Sequence, residues 1–122
     1  DMLMGIESRG FLVAAPLAMA MGCGFGMVRK KGKLPGKTMS YRYTLEYGQD
    51  EIEIQPDLIK PGSNIVLVDD LLATGGTMAA AAHLIEQAGS QVAAGLCIIE
   101  LEGLNGRQTF GRPFEALLHC PA

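Results

Sequence analysis

Short runs of apolar residues alternate along this chain with stretches of helical periodicity. The apolar runs predict strands at 2–6, 25–30, 64–68, 91–101 and 114–119. A buried helix is predicted over 11–21, and a second helix is predicted over 77–88, where apolar residues recur on one face at helical spacing. The segment 51–54, "EIEI", alternates with a period of two and predicts a strand with one exposed face.

This order of elements predicts a single α/β domain over residues 1–122. Strand–helix–strand units form a mostly parallel, twisted sheet that is flanked by helices and joined by right-handed crossovers. The run "NIVLV" at 64–68 is apolar after its first residue, as is typical of a central parallel strand covered on both faces. The segment 32–48 is polar and rich in turn-forming residues, which predicts a loop.

The most informative segment is "IVLVDDLLATGGTM" at 65–78, which we call the acid–glycine segment. Asp69 and Asp70 follow the apolar run at the carboxyl end of the strand, where open parallel sheets bind their ligands. The turn after them consists of Ala73, Thr74, Gly75, Gly76 and Thr77. Because this turn opens a helix, its backbone N–H groups and the helix dipole favour an anion, above all a phosphate.

The two halves of the acid–glycine segment need different partners. Carboxylates repel phosphate, so Asp69 and Asp70 require hydroxyl donors or a metal ion beside the anion site. A sugar phosphate meets both needs, with its phosphate in the turn and its ribose hydroxyls on the acids. Either half alone is more often an ordinary turn or acidic pair, and the missing G-K-[ST] ending excludes a Walker A loop. Joined between a strand and a helix, the two halves predict a ribose-phosphate site.

Composition and charge exclude several other classes of protein. The chain has 10 Lys and Arg against 13 Asp and Glu, for a net charge of −3, so we expect no nucleic-acid partner. Its three cysteines lack C-x-x-C spacing, which indicates reduced thiols in a cytoplasmic protein. The apolar run at 11–21 is too short to cross a bilayer, so no membrane association is expected.

Several motifs resemble those of a known family. "VLVDDLLATGGT" is similar to the phosphoribosyl pyrophosphate (PRPP) signature of the type I phosphoribosyltransferases. "GIESRGF", "RKKGKLPG" and "LEYG" are similar to the branch of that family that uses adenine, and the similarity runs from residue 1 to about 107. The resemblance implies an enzyme of purine salvage, which transfers the 5-phosphoribosyl group of PRPP to adenine and gives AMP and pyrophosphate.

The resemblance also implies partners and further chain. The implied enzyme is a homodimer, and its Mg²⁺ is bound through oxygens of PRPP and pyrophosphate, with no direct protein ligands. Members of the family carry roughly half a domain ahead of "GIESRGF" that forms a hood over the base. We therefore expect the PRPP-binding core over 1–122 to be incomplete at its N-terminus, without the hood.

A basic run at 29–33, "RKKGK", holds four of the ten Lys and Arg residues, and we call it the basic segment. Such a run is usually a solvated face, but its position between a strand and a glycine–proline loop favours a pyrophosphate clamp. The resemblance implies that Arg9, Lys30 and Lys33 contact pyrophosphate.

The segment 34–48 is either a solvent-facing hairpin or a lid that excludes water while the ribose C1–O bond breaks. The resemblance implies a lid with Glu46 and Tyr47 as catalytic residues. The glutamate would handle a proton or stabilise the cationic transition state, and the tyrosine would shield or position the donor. Leu101 is implied in the base pocket, although it also fits plain core.

Two other functions remain open at this point. One is a related phosphoribosyltransferase that uses another purine or orotate. The other is a PRPP-sensing regulatory module that binds the ligand without turnover.

Overall fold

The computed structural model describes residues 1–45 and 48–122. Its strands are β1 (Met2–Ile6), β2 (Gly24–Lys30), β3 (Met39–Leu45), β4 (Gly48–Ile54), β5 (Asn64–Leu72), β6 (Gln91–Glu102) and β7 (Phe114–Pro121). Its helices are α1 (Arg9–Met21), α2 (Gly76–Gln87) and α3 (Gly106–Phe110), with a short 3-10 helix at Pro56–Leu58. Among these described residues, no helix is both long enough and apolar enough to cross a membrane.

The strands form one sheet in the order β3-β4-β2-β1-β5-β6-β7. The five strands β2, β1, β5, β6 and β7 pair in parallel, each with its neighbour in the sheet. Strands β3 and β4 form an antiparallel hairpin, and β4 pairs with β2 in the antiparallel direction. The predicted α/β fold, a mostly parallel sheet flanked by helices, is confirmed. The strand predicted to be central is β5, and it lies between β1 and β6.

Helices cover both faces of the sheet. Neighbouring residues of a strand point to opposite faces and therefore pack against different helices. In β1, Leu3 packs in a buried cluster with α1, whereas Met4 packs in the larger core that includes α2. α1 can approach the sheet closely because it has no side chain at Gly10, where a Cβ would lie 2.8 Å from the carbonyl oxygen of Val68. This packing brings the start of α1, at Arg9, beside the acidic part of β5.

The prediction that 51–54 has one exposed face is wrong, since residues 52–54 are all buried in β4. The side chain of Glu53 is only 4 % exposed. Its Oε1 accepts hydrogen bonds from the backbone N–H groups of Gly32, at 3.1 Å, and Leu34, at 3.2 Å. A carboxylate in a buried position is therefore satisfied by the backbone of the loop beside it.

Two further elements differ from the sequence-based expectations. The segment predicted as a loop over 32–48 contains β3, which pairs with β4 as a hairpin. This hairpin is not wholly solvent-facing, because Tyr43 is buried in the core beneath α2. The short helix α3 has no counterpart in the predicted elements, and its Phe110 is fully buried.

Candidate active site

The two aspartates of the acid–glycine segment lie within the last part of β5. The backbone N–H of Asp70 donates to Oδ1 of Asp69 at 2.8 Å. Arg9 forms an ion pair with Asp70, since its Nε lies 2.9 Å from Oδ2 of that residue. The structure thus joins Arg9, a residue predicted to bind pyrophosphate, to an acid predicted to bind ribose.

Asp69 has a strongly altered acidity. Burial and a hydrogen bond shared with the Asp70 carboxyl group raise the pKa of Asp69 from 3.8 to about 7. Burial disfavours the charged form of Asp69, and the neighbouring Asp70 carboxylate disfavours a second negative charge beside its own. Asp69 therefore holds a proton at mildly acidic pH, whereas a ribose hydroxyl or a metal ion would favour its ionised form.

The turn after β5 has the conformation of an anion site. Gly75 has φ +85°, and a Cβ at this position would lie 2.5 Å from the carbonyl oxygen of Gly106. α2 begins directly afterwards, at Gly76. The turn encloses a cleft of about 120 Å³ that is lined by Asp69, residues 71–77 and Met78. The N–H groups at the start of α2 and this small cleft suit a single phosphate group.

A second cleft of about 130 Å³ lies next to the first. Its polar lining consists of Glu7, Arg29, Lys30, Asp69 and Thr77. Asp69 and Thr77 line both clefts. The acid–glycine segment and the basic segment therefore meet at one place, although more than thirty residues separate Lys30 from Asp69 in the sequence.

The basic segment is held by carboxylates that sequence reasoning missed. Glu7 accepts hydrogen bonds from Nε of Arg29 at 3.3 Å and from the backbone N–H of Lys30 at 2.8 Å, and it also pairs with the ammonium group of Lys33. Burial alone would raise the pKa of Glu7, but these cationic and backbone donors outweigh it and lower the pKa. The ammonium group of Lys30 pairs with Asp50 of β4.

Tyr43 of β3 is another residue that the sequence did not single out. Its hydroxyl lies 3.0 Å from Oγ1 of Thr77, in the predicted phosphate turn. It stands opposite Asp50 in the β3–β4 ladder. The alternation of β3 places Tyr43 on the buried side, but only the packing of the hairpin on α2 brings it to the turn.

The remaining candidates are Glu46, Tyr47 and Leu101. Glu46 and Tyr47 fall outside the described residues. Leu101 is half-buried near the end of β6, opposite Cys120 of β7, and it is not among the residues that line either cleft. Its neighbour Glu100 pairs with Arg107 at 2.8 Å and with His119 at 3.2 Å.

The described residues contain no group of three or more His, Cys, Asp or Glu side chains arranged to hold a metal ion. Asp69 and Asp70 nevertheless offer carboxylate oxygens, the ligand type that Mg²⁺ prefers. A magnesium ion at these acids would need further oxygen ligands from a bound molecule or from water.

Comparison with known proteins agrees with this geometry. A family model described as the phosphoribosyl transferase domain matches residues 1–104. The chain is 63 % identical over 118 residues to the adenine phosphoribosyltransferase of Rhodospirillum centenum, and the match covers 97 % of this chain and 69 % of that protein.

Solved structures show the same relationship. The adenine phosphoribosyltransferase of Thermoanaerobacter pseudethanolicus superposes with a TM-score of 0.95 at 47 % identity, over 98 % of this chain and 70 % of the other. The enzyme of Saccharomyces cerevisiae, in complex with an imino-altritol bisphosphate and adenine, superposes with a TM-score of 0.93 at 47 % identity, over 97 % and 67 % of the two chains.

Proposed function

The chain belongs to the phosphoribosyl transferase domain family, and from that membership we propose that it is an enzyme of purine salvage. It transfers the 5-phosphoribosyl group of PRPP to adenine, which gives AMP and pyrophosphate. The observation that carries this proposal is the junction of the two clefts at Asp69 and Thr77. A ligand with a phosphate at one end, a diol in its middle and a pyrophosphate at the other end fits that arrangement.

The proposed roles of the acid–glycine segment follow from its geometry. The backbone of residues 73–77 (Ala73, Thr74, Gly75, Gly76 and Thr77) binds the 5′-phosphate at the start of α2. Asp69 and Asp70 accept hydrogen bonds from the ribose hydroxyls. Ionised carboxylates are strong acceptors for such donors, which makes these contacts worth more than neutral ones.

Arg9, Lys30 and Lys33 are proposed to bind the pyrophosphate. Each of them is paired with a carboxylate, respectively Asp70, Asp50 and Glu7. Pyrophosphate binding is therefore an exchange of ionic partners. The internal acids keep the cations in place and reduce their mutual repulsion until the ligand arrives.

Glu46 and Tyr47 are proposed as the catalytic residues of the lid, with Glu46 stabilising the cationic transition state or handling a proton. Replacing Glu46 with Gln should lower kcat by about 10²- to 10⁴-fold, with a smaller change in the KM for PRPP. Steady-state kinetics for both substrates would measure this. A change confined to KM would identify Glu46 as a binding contact instead.

Mg²⁺ is proposed to enter the site with PRPP, bound through oxygens of PRPP and pyrophosphate and without a direct protein ligand. When bound, the ion neutralises charge on the departing pyrophosphate. Activity should disappear with a chelator and return when excess Mg²⁺ is added.

The oligomeric state, the cellular location and the contact with the base are also proposals. Leu12, Met19 and Met21 of α1 are exposed by 77 %, 85 % and 64 %, and this apolar surface supports a homodimer. Burial raises the pKa of Cys97 to about 11, with a smaller effect of Glu100, which keeps that thiol protonated and unreactive. All three cysteines are free thiols, which supports a cytoplasmic location. Leu101 is proposed to contact the base.

The decisive experiment follows pyrophosphate release by the purified protein with PRPP, Mg²⁺ and one base at a time. We expect pyrophosphate release and AMP formation when the base is adenine, and no release with the other bases. Comparable rates with hypoxanthine, xanthine or orotate would refute the adenine assignment. Binding of PRPP without release of pyrophosphate would favour a regulatory module.

A further inference from the structure

The β3–β4 hairpin connects the two clefts through a pair of facing side chains. Tyr43 and Asp50 are direct partners in the ladder of the hairpin. The Tyr43 hydroxyl lies 3.0 Å from Oγ1 of Thr77, and the Asp50 carboxylate pairs with the ammonium group of Lys30. A continuous path therefore runs from the phosphate turn to the basic segment.

The path is held in a restricted environment. Tyr43 is only 9 % exposed, and the side chain of Asp50 is 24 % exposed. A hydrogen bond from Lys30 lowers the pKa of Asp50 against the opposing effect of burial. Asp50 is thus an ionised acceptor for Lys30, and it faces Tyr43 directly in the ladder of the hairpin.

We infer that Tyr43 and Asp50 are positioning residues that couple the 5′-phosphate site to the pyrophosphate site. This inference rests on the proposed function, because it needs a ligand at each end of the path. Tyr43 orients the hydroxyl of Thr77, and Asp50 orients the ammonium group of Lys30. Since Tyr43 and Asp50 face each other in one hairpin, a ligand that fixes one of these side chains also restricts the other.

The coupling has a definite sign. The first ligand meets the entropic cost of fixing the linked side chains of Thr77, Tyr43, Asp50 and Lys30, and the second ligand then binds side chains that are already fixed. A 5′-phosphate compound and pyrophosphate should therefore bind more tightly together than apart. By thermodynamic linkage, AMP strengthens pyrophosphate binding by the same factor as pyrophosphate strengthens AMP binding.

The test uses isothermal titration of pyrophosphate with Mg²⁺, in the absence and presence of saturating AMP. For the unmodified protein the ratio of the two dissociation constants should be at least about fivefold, the lower end of typical coupling. Tyr43→Phe and Asp50→Asn should each bring this ratio close to one. The ratio in the double variant should equal the ratio in either single variant, because both residues act along one path.

Tyr41→Phe is the matched control, since it removes the same hydroxyl from the same strand. Tyr41 stacks on His83, with ring centroids 4.5 Å apart, and lines neither cleft. Its coupling ratio should stay at the value of the unmodified protein. Thermal unfolding of each variant identifies any general loss of structure. Such a loss would weaken the binding of both ligands without changing the ratio of the two dissociation constants.

The outcomes separate this inference from the proposed function. Unmodified protein that makes no AMP from PRPP and adenine would overturn the function. Active protein whose ratio is one, or whose ratio survives both Tyr43→Phe and Asp50→Asn, would overturn the coupling and leave the function intact. In the kinetics, the same two variants should raise the KM for PRPP severalfold with little effect on the KM for adenine.

Discussion

The acid–glycine segment and the basic segment contribute to the same pair of clefts, but they are built in different ways. In the acid–glycine segment, strand end, turn and helix start follow one another along the chain, and local geometry alone brings the acids beside the phosphate turn. In the basic segment, each cation is held by a remote acid, with Glu7 and Asp50 lying on different strands or strand ends. The acid–glycine part of the site is therefore formed by residues that are close in the sequence, whereas the basic part depends on contacts between distant parts of the sheet.

The largest expected effect comes from the turn of the acid–glycine segment. Gly75→Ala forces a side chain into the left-handed region and against the backbone of Gly106. This should lower the free energy of unfolding by about 3 kcal/mol, the upper end for a strained backbone position, and abolish PRPP binding. Chemical denaturation and titration with PRPP would measure the two effects.

Gly76→Ala is the control for this prediction, because a Cβ at that position meets no atom within 4 Å and φ is not positive. Alanine is also the better helix former by about 1 kcal/mol, so this variant should be at least as stable as the unmodified protein. Equal destabilisation by the two variants would show that the left-handed turn is not the cause.

The next effect concerns the acids of the same segment. Asp70→Asn removes a charged acceptor from the ribose and breaks the ion pair with Arg9. PRPP affinity should fall by about 1.5–3 kcal/mol, which isothermal titration would detect. Asp57→Asn, at an exposed acid that pairs loosely with Lys37 at 3.7 Å, should leave the affinity unchanged. Unaltered affinity in Asp70→Asn would remove this residue from the ribose site.

The basic segment should respond mainly in stability when its supporting acid is removed. Glu53→Ala leaves the backbone N–H groups of Gly32 and Leu34 without their acceptor. The free energy of unfolding should fall by about 1–2 kcal/mol, because two hydrogen bonds to a charged acceptor are lost. Glu102→Ala, at an exposed position that ends β6, should change it by less than about 0.5 kcal/mol. Similar losses in the two variants would mean that Glu53 does not anchor the loop.

The last effect is a dependence on pH that belongs to Asp69. Its pKa of about 7 in the folded protein lies above the ordinary value of 3.8, so the folded state keeps a proton that the unfolded chain has lost. The stabilising contribution is complete below about pH 4 and is lost as pH rises through 7. Between those limits, the unfolding free energy of the unmodified protein should decline relative to that of Asp69→Asn. Parallel pH profiles would contradict the raised pKa.

Much of the fold was predictable from local patterns. The apolar runs and the helical face of 77–88 predicted β1, β2, β5, β6, β7 and both longer helices to within a few residues. The interpretation of 51–54 failed because Glu53 looks exposed in an alternating pattern, whereas a loop backbone in fact satisfies it inside the protein. α3 was missed because five residues carry too little periodicity to be recognised.

The candidate site divides in the same way. Asp69, Asp70 and the turn through Thr77 were identified from one continuous stretch, and the structure places Asp69 and the turn around one cleft, with Asp70 directly beside Asp69. The binding roles of Arg9, Lys30, Lys33 and Leu101, and the catalytic roles of Glu46 and Tyr47, remain predictions. Glu7 lies in the motif "GIESRGF" and Tyr43 lies in the segment 34–48, but nothing in the residues around either one predicts its partner.

The sequence by itself determined the α/β class, the order of most strands along the chain and the chemistry of the acid–glycine segment, because these depend on residues a few positions apart. The tertiary structure decided which acid neutralises which base and which tyrosine reaches the phosphate turn. Those contacts depend on the pairing of β4 with β2 and on the packing of the hairpin against α2. Such long-range pairing is set by the burial of the whole core, which no single stretch of the chain encodes.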